Sequence, residues 1–201
     1  MKKAALLISY LFHPLLMPSL GLLIILNSGS YLSLLDPTVK RAIVFVMALG
    51  TLVFPLMILP FLQYRSMLVR NQQAISRVER LLPQIIILTL YIITFVYFQK
   101  LPLSQVIHAY LLSVTGTLFL VLVLNLKFRI STHSTALGGL AGLIIALIYL
   151  YETPLQGLLI LTFFAGGLTG SARMTQGDGW GSVLGGFLLG FGVVLLTILV
   201  Y

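Results

Sequence analysis

Three short stretches of this chain gather residue types that handle an anion. "RNQQAISRVERLLP" (70–83) supplies Arg77 and Arg80, "KFRISTHST" (127–135) supplies Lys127, Arg129, Ser131 and His133, and "GSARMTQGDGWGSVLGG" (170–186) supplies Arg173 and Asp178. Arg77 and Arg80 stand three apart, which puts them on one face of a helix. Clustered cations suit a phosphate, whose charge leaves water only when guanidinium or ammonium groups pair with it. His133 lies among Ser131, Thr132, Ser134 and Thr135, a hydroxyl-rich helix start whose exposed backbone N–H groups favour oxyanions. With an ordinary pKa of about 6.5, its imidazole is suited to donate a proton to a leaving oxygen. A plainer reading stands beside each assignment. The arginines also fit ordinary residues reaching along lipid to the headgroups, and His133 fits an interfacial or capping histidine.

The elements that must position these groups follow from composition. Of 201 residues, 59% are hydrophobic and 8% charged, with a mean hydropathy of +1.11; this places the chain in a bilayer. A helix needs about 20 apolar residues to cross the hydrocarbon. That ruler selects seven candidate spans: 4–28, 41–64, 81–99, 103–126, 133–151, 154–172 and 181–200. The expected fold is an all-α integral membrane protein, a polytopic bundle of six to seven transmembrane helices forming one domain over 1–201. The N-terminal stretch starts like a signal peptide, but its apolar run is long and lacks a small-residue cleavage site, so it reads as a retained span. It is either complete or re-entrant. "QKLPL" and "YETPL" are so short that the third and fourth spans, and the fifth and sixth, must form antiparallel hairpins.

Charge then orients the bundle. Lys2, Lys3, Arg65, Arg70, Arg77, Arg80, Lys127, Arg129 and Arg173 fall on one side, and Lys40, Arg41 and Lys100 on the other. The positive-inside rule therefore predicts a cytoplasmic N terminus, with all three polar stretches on that face. The net charge of +8 is spread among short connections, where it meets headgroups and not nucleic acid. With no cysteine in the chain, disulfides and thiolate chemistry are excluded. No histidine or carboxylate set has the spacing of a metal site, and no cofactor is expected. His13 and His108 read as buried, hydrogen-bonded histidines apart from the anion cluster. Pro14, Pro18, Pro55 and Pro60 are expected to kink the first two spans, and Pro83 to open the third. The glycines of the last three spans read as close helix packing.

Taken in order, the three stretches resemble the signature of the type 2 phosphatidic acid phosphatase superfamily, membrane lipid-phosphate phosphatases related to vanadium haloperoxidases. That signature runs Lys, six residues, Arg-Pro; then Pro-Ser-Gly-His; then Ser-Arg, five residues, His, three residues, Asp. "RVERLLP" resembles the degenerate first motif of small bacterial members of the Bacteroidetes type. "ISYLFHPLLMPSLGLL" and "GFLLGF" resemble their two ends, so the likeness covers nearly the whole chain. It implies a phosphatase-like core in a bacterial inner membrane. It also implies phosphate binding by Arg77, Arg80 and Ser131, a leaving-group acid in His133, and a transition-state clamp in Arg173. The third motif departs from the pattern. Gly179 occupies the place of the nucleophilic histidine, with Asp178 there if one residue is deleted. Without that imidazole the phosphohistidine step is lost.

Two function classes follow, with a third beside them. The first is an enzyme releasing phosphate from a lipid or isoprenyl phosphate, with Asp178 as the remaining candidate nucleophile. The second is a catalytically inactive binder of the same headgroup, and the third a transporter-like membrane protein.

Overall fold

Apolar runs of this length have one stable form in lipid, because only a helix satisfies its own backbone there. The computed structural model describes residues 12–58, 60 and 77–201, without the side chains of Tyr31 and of residues 77–80. The chain forms a helical bundle. Its elements are α1 (Met17–Asn27), α2 (Pro37–Ile58), α3 (Arg77–Gln99), α4 (Gln105–Asn125), α5 (Thr132–Tyr151), α6 (Gln156–Thr175) and α7 (Trp180–Val200). Among the described residues, six of these, α2 to α7, are long and apolar enough to cross a membrane. The last four expected spans match their helices to within three residues at either end. Residues 61–64 of the second lie outside the described residues.

The first span differs from expectation in its described part. α1 has 11 residues and so rises about 16 Å, roughly half a bilayer's hydrocarbon. Pro18 falls in its first turn, where a missing N–H costs no hydrogen bond. Pro14 lies in the turn before it. These prolines start the helix instead of bending it. Pro55 is different, because it follows a π turn at Leu49–Val53 inside α2. The wider turn accommodates a ring that would meet the carbonyl four residues back. Thr51 in that turn donates to the Met47 carbonyl at 2.9 Å and lies 3.2 Å from Ser19 Oγ, tying α2 to α1. Pro83 lies within α3, several residues beyond its first turn.

α5 is the central helix. It packs against α1, α4, α6 and α7, and 67% of its apolar window is buried, against 22–44% in the other five spans. Its tightest neighbour is α7, and glycine is the reason. A Cβ on Gly142 would stand 2.5 Å from the Phe191 carbonyl, and one on Gly186 2.7 Å from the Ser131 carbonyl. Gly138 and Gly190 would likewise collide with the backbones of Phe187 and Thr135. Small residues thus bring two helix backbones into direct contact, as expected for helices that meet in lipid. The Ser131 N–H donates to the Ser182 carbonyl at 3.2 Å, fastening the start of α5 beside the start of α7. The α3–α4 hairpin is closed by His108 Nε2, which donates to the Phe98 carbonyl at 3.1 Å. His108 is therefore the satisfied structural histidine that its position predicts.

Candidate functional site

A cavity of about 310 Å³ opens among the residues preceding α1 and helices α1, α3, α4, α5 and α7. Its wall is largely hydrocarbon, from Leu15, Ile87, Val114, Leu118, Val121 and Leu140. Polar groups are few. His13, Gln84, Thr132, His133 and Thr135 line it where α3 and α5 begin and α4 ends, and Tyr91, Tyr110 and Thr117 line it along α3 and α4.

The two histidines meet there. Their ring centroids are 5.7 Å apart with planes at 78°, an edge-to-face arrangement. His13 Nδ1 accepts the Leu15 N–H at 3.3 Å, which fixes one side of its ring. His133 is carried by the first turn of α5, whose N-cap Ser131 makes no side-chain cap to the helix. The first backbone N–H groups of α5 therefore lack the usual hydroxyl cap at the place where Thr132 and His133 join the cavity wall. Ser131 itself is buried; its hydroxyl accepts from Ser134 Oγ at 3.3 Å, and its carbonyl accepts from Thr135 Oγ1 at 2.9 Å.

Tyr110 fastens the inner part of the cavity. Its hydroxyl lies 3.1 Å from the Pro18 carbonyl and 3.3 Å from that of Met17, donating across from α4 to the first turn of α1. Gly21 makes this approach feasible, since any Cβ there would overlap the phenol. On the α4–α5 connection, the Asn125 side chain accepts the Ile130 N–H at 2.7 Å and donates to Gln84 Oε1 at 3.4 Å. One residue thus joins α3, α4 and the segment carrying Lys127 and Arg129. Both of those cations are exposed.

Arg173 and Asp178 are brought to each other. Arg173 Nε donates to Asp178 Oδ2 at 2.8 Å, and Nη1 donates to Gln176 Oε1 at 2.9 Å. The backbone explains the pairing. Gly177 takes φ of +101°, its N–H reaches the Met174 carbonyl at 3.1 Å, and the Asp178 N–H reaches the Arg173 carbonyl at 3.1 Å. This Schellman closure turns the chain back over the last helical turn and sets the carboxylate beside the guanidinium. Neither residue lines the cavity that holds His133. The side chains of Arg77 and Arg80 lie outside the described residues.

His13 is hydrogen-bonded as its sequence reading expects, but it does not stand apart from His133. The two share one cavity wall. No local spacing signals such a contact, because it joins the N-terminal segment to α5. Among the described residues, no three His, Cys, Asp or Glu side chains come together as a metal site. No known protein family, curated protein or solved structure matches the chain.

Proposed function

We propose that the chain is a membrane-embedded lipid-phosphate-handling protein of the kind its motifs resemble, the type 2 phosphatidic acid phosphatases. In this reading the phosphate head of a lipid or isoprenyl phosphate sits at the His13–His133 end of the cavity, with the chain along its apolar wall. The observation that carries the reading is the juxtaposition of two imidazoles with a hydrocarbon-lined cavity among helices suited to a bilayer. Imidazole N–H groups and the uncapped first turn of α5 supply hydrogen-bond donors suited to an oxyanion. The apolar wall supplies the hydrophobic term for a chain.

Binding without turnover is favoured over hydrolysis by one further observation. Asp178, the carboxylate nearest the lost nucleophile in sequence, has an oxygen engaged by Arg173. An ion-paired carboxylate is a poor nucleophile, and the paired guanidinium would have to leave it to clamp a transition state. Charge-assisted contacts to phosphate, worth about 1.5–3 kcal/mol each, survive the loss of a covalent step.

The test is to titrate the purified full chain with a lipid phosphate and to assay inorganic phosphate release in parallel. The proposal expects saturable binding weakened about tenfold by His133→Ala, with no release above background. Binding indifferent to both His13→Ala and His133→Ala removes the head site. Phosphate release abolished by Asp178→Asn replaces the binder with an enzyme.

A further inference from the structure

Deep in the same cavity lies a tyrosine that the proposed head site does not use. Tyr91 is 5% exposed, lines the cavity from α3, and has no hydrogen bond among the described residues. Tyr110 supplies the contrast, since it is a similarly buried residue whose hydroxyl is held by two carbonyls of α1. Buried phenols ordinarily find a partner, because an unmade hydrogen bond leaves the cost of stripping water uncompensated. A phenol sealed in a core would be replaced by phenylalanine at no loss. One facing a cavity has a partner whenever the occupant brings it.

Position says what that occupant is. Gln84, Ile87 and Tyr91 form one stripe of α3 along the wall, and the seven steps from Gln84 to Tyr91 span about 10 Å of helix axis. Gln84 belongs to the His133 end, so the Tyr91 hydroxyl meets the occupant partway along its chain. Val114, Leu118 and Leu140 of the same wall offer only hydrocarbon, and the hydroxyls of Thr117 and Thr135 are already spent on the Ser113 and Ser131 carbonyls. The volume, about 310 Å³, stands at the small end of the roughly 300–1,000 Å³ of ligand pockets, which suits one chain.

We infer that the cavity takes a single-chain amphiphile bearing an oxygen function along its chain, an acyl ester or a hydroxyl, and that Tyr91 recognises this oxygen. The inference rests on the head site proposed above and narrows its ligand. A bare isoprenyl or alkyl chain leaves the phenol unmet, whereas a monoacylglycerol phosphate supplies it with an acceptor.

The experiment uses the full chain in detergent micelles and three probes: monolauroylglycerol phosphate, dodecyl phosphate and dilauroyl phosphatidic acid. The wild type is expected to bind the first about fivefold to tenfold more tightly than the second, the value of one hydrogen bond, and more tightly than the two-chain probe. Tyr91→Phe abolishes the preference for the ester while leaving dodecyl phosphate affinity unchanged, which also reports that the cavity is intact. His133→Ala weakens both single-chain probes alike. Equal binding of the two single-chain probes by the wild type, a preference that persists in Tyr91→Phe, or tighter binding of the two-chain probe overturns the inference and leaves the head site standing. Failure of every probe to bind, or indifference to His133→Ala, overturns the head site itself.

Discussion

His13 and His133 stand edge to face with ring centroids 5.7 Å apart, although one belongs to the segment before α1 and the other to the first turn of α5. The contact makes the N-terminal segment part of the cavity wall and gives α5 a partner that its own sequence does not announce. If both rings face one headgroup, their contributions are coupled. The combined His13→Ala/His133→Ala loss in lipid-phosphate affinity is expected to fall short of the summed single losses by about 0.5–1.5 kcal/mol. Titration calorimetry on the four proteins measures it, and strict additivity would mean that the rings act separately.

The α5–α7 contact makes a sharper statement about stability. Gly138 faces the backbone of Phe187, whereas a Cβ on Gly167 of α6 would have nothing within 4 Å. Gly138→Ala is expected to destabilise the bundle by about 1–3 kcal/mol, because backbone cannot yield as a side-chain tip does. Gly167→Ala should be neutral or stabilising by up to about 1 kcal/mol, through helix propensity. Thermal unfolding in one detergent compares the two, and a similar loss at both positions would show that the helices are not in backbone contact.

The Arg173–Asp178 pair is partly exposed, with side chains at 26% and 20%. Solvent screens such a pair, so Arg173→Ala and Asp178→Asn should each cost no more than about 1 kcal/mol. Their effects should converge in high salt. A larger loss, insensitive to salt, would point to the Gly177 turn as the element that failed.

Asp36 provides a pH dependence outside the spans. It caps α2 by accepting the Thr38 N–H at 2.7 Å, and this bond holds its carboxyl below the ordinary value. A depressed carboxyl contributes stability that is complete above its unfolded pKa of about 3.9 and disappears as pH falls through the lower folded value. Asparagine caps a helix about as well and does not titrate there. Unfolding temperature should therefore fall with acidification more steeply in the wild type than in Asp36→Asn below about pH 4. Parallel profiles would show that the cap contributes nothing to the titration.

The fold was legible wherever one local rule decided the outcome. Hydrocarbon thickness set the spans, "QKLPL" and "YETPL" set two hairpins, and the glycines of α5 and α7 announced close packing. Where two rules met, the reading slipped. Pro18 reads from sequence as a helix-interior residue because its apolar surroundings continue on both sides, yet proline is equally at home in a first turn, where it stands. The site was less legible. His133 was found through its hydroxyl-rich surroundings, but His13 becomes its neighbour only when α1 packs beside α5, a contact that no periodicity encodes. The Arg173–Asp178 pair did leave a signal. Glycine four residues beyond an arginine at a helix end marks a turn that returns the next side chain to the last helical turn.

Helices joined backbone to backbone cannot slide or spread without losing contact along their length. α5 and α7 are therefore the close-packed side of the bundle, and the side of the cavity built from α1 and α3 is held by lighter contacts. There a tyrosine hydroxyl reaches two carbonyls and an amide pair meets at 3.4 Å. The bundle thus has one wall held by backbone contact and another held by a few side-chain hydrogen bonds.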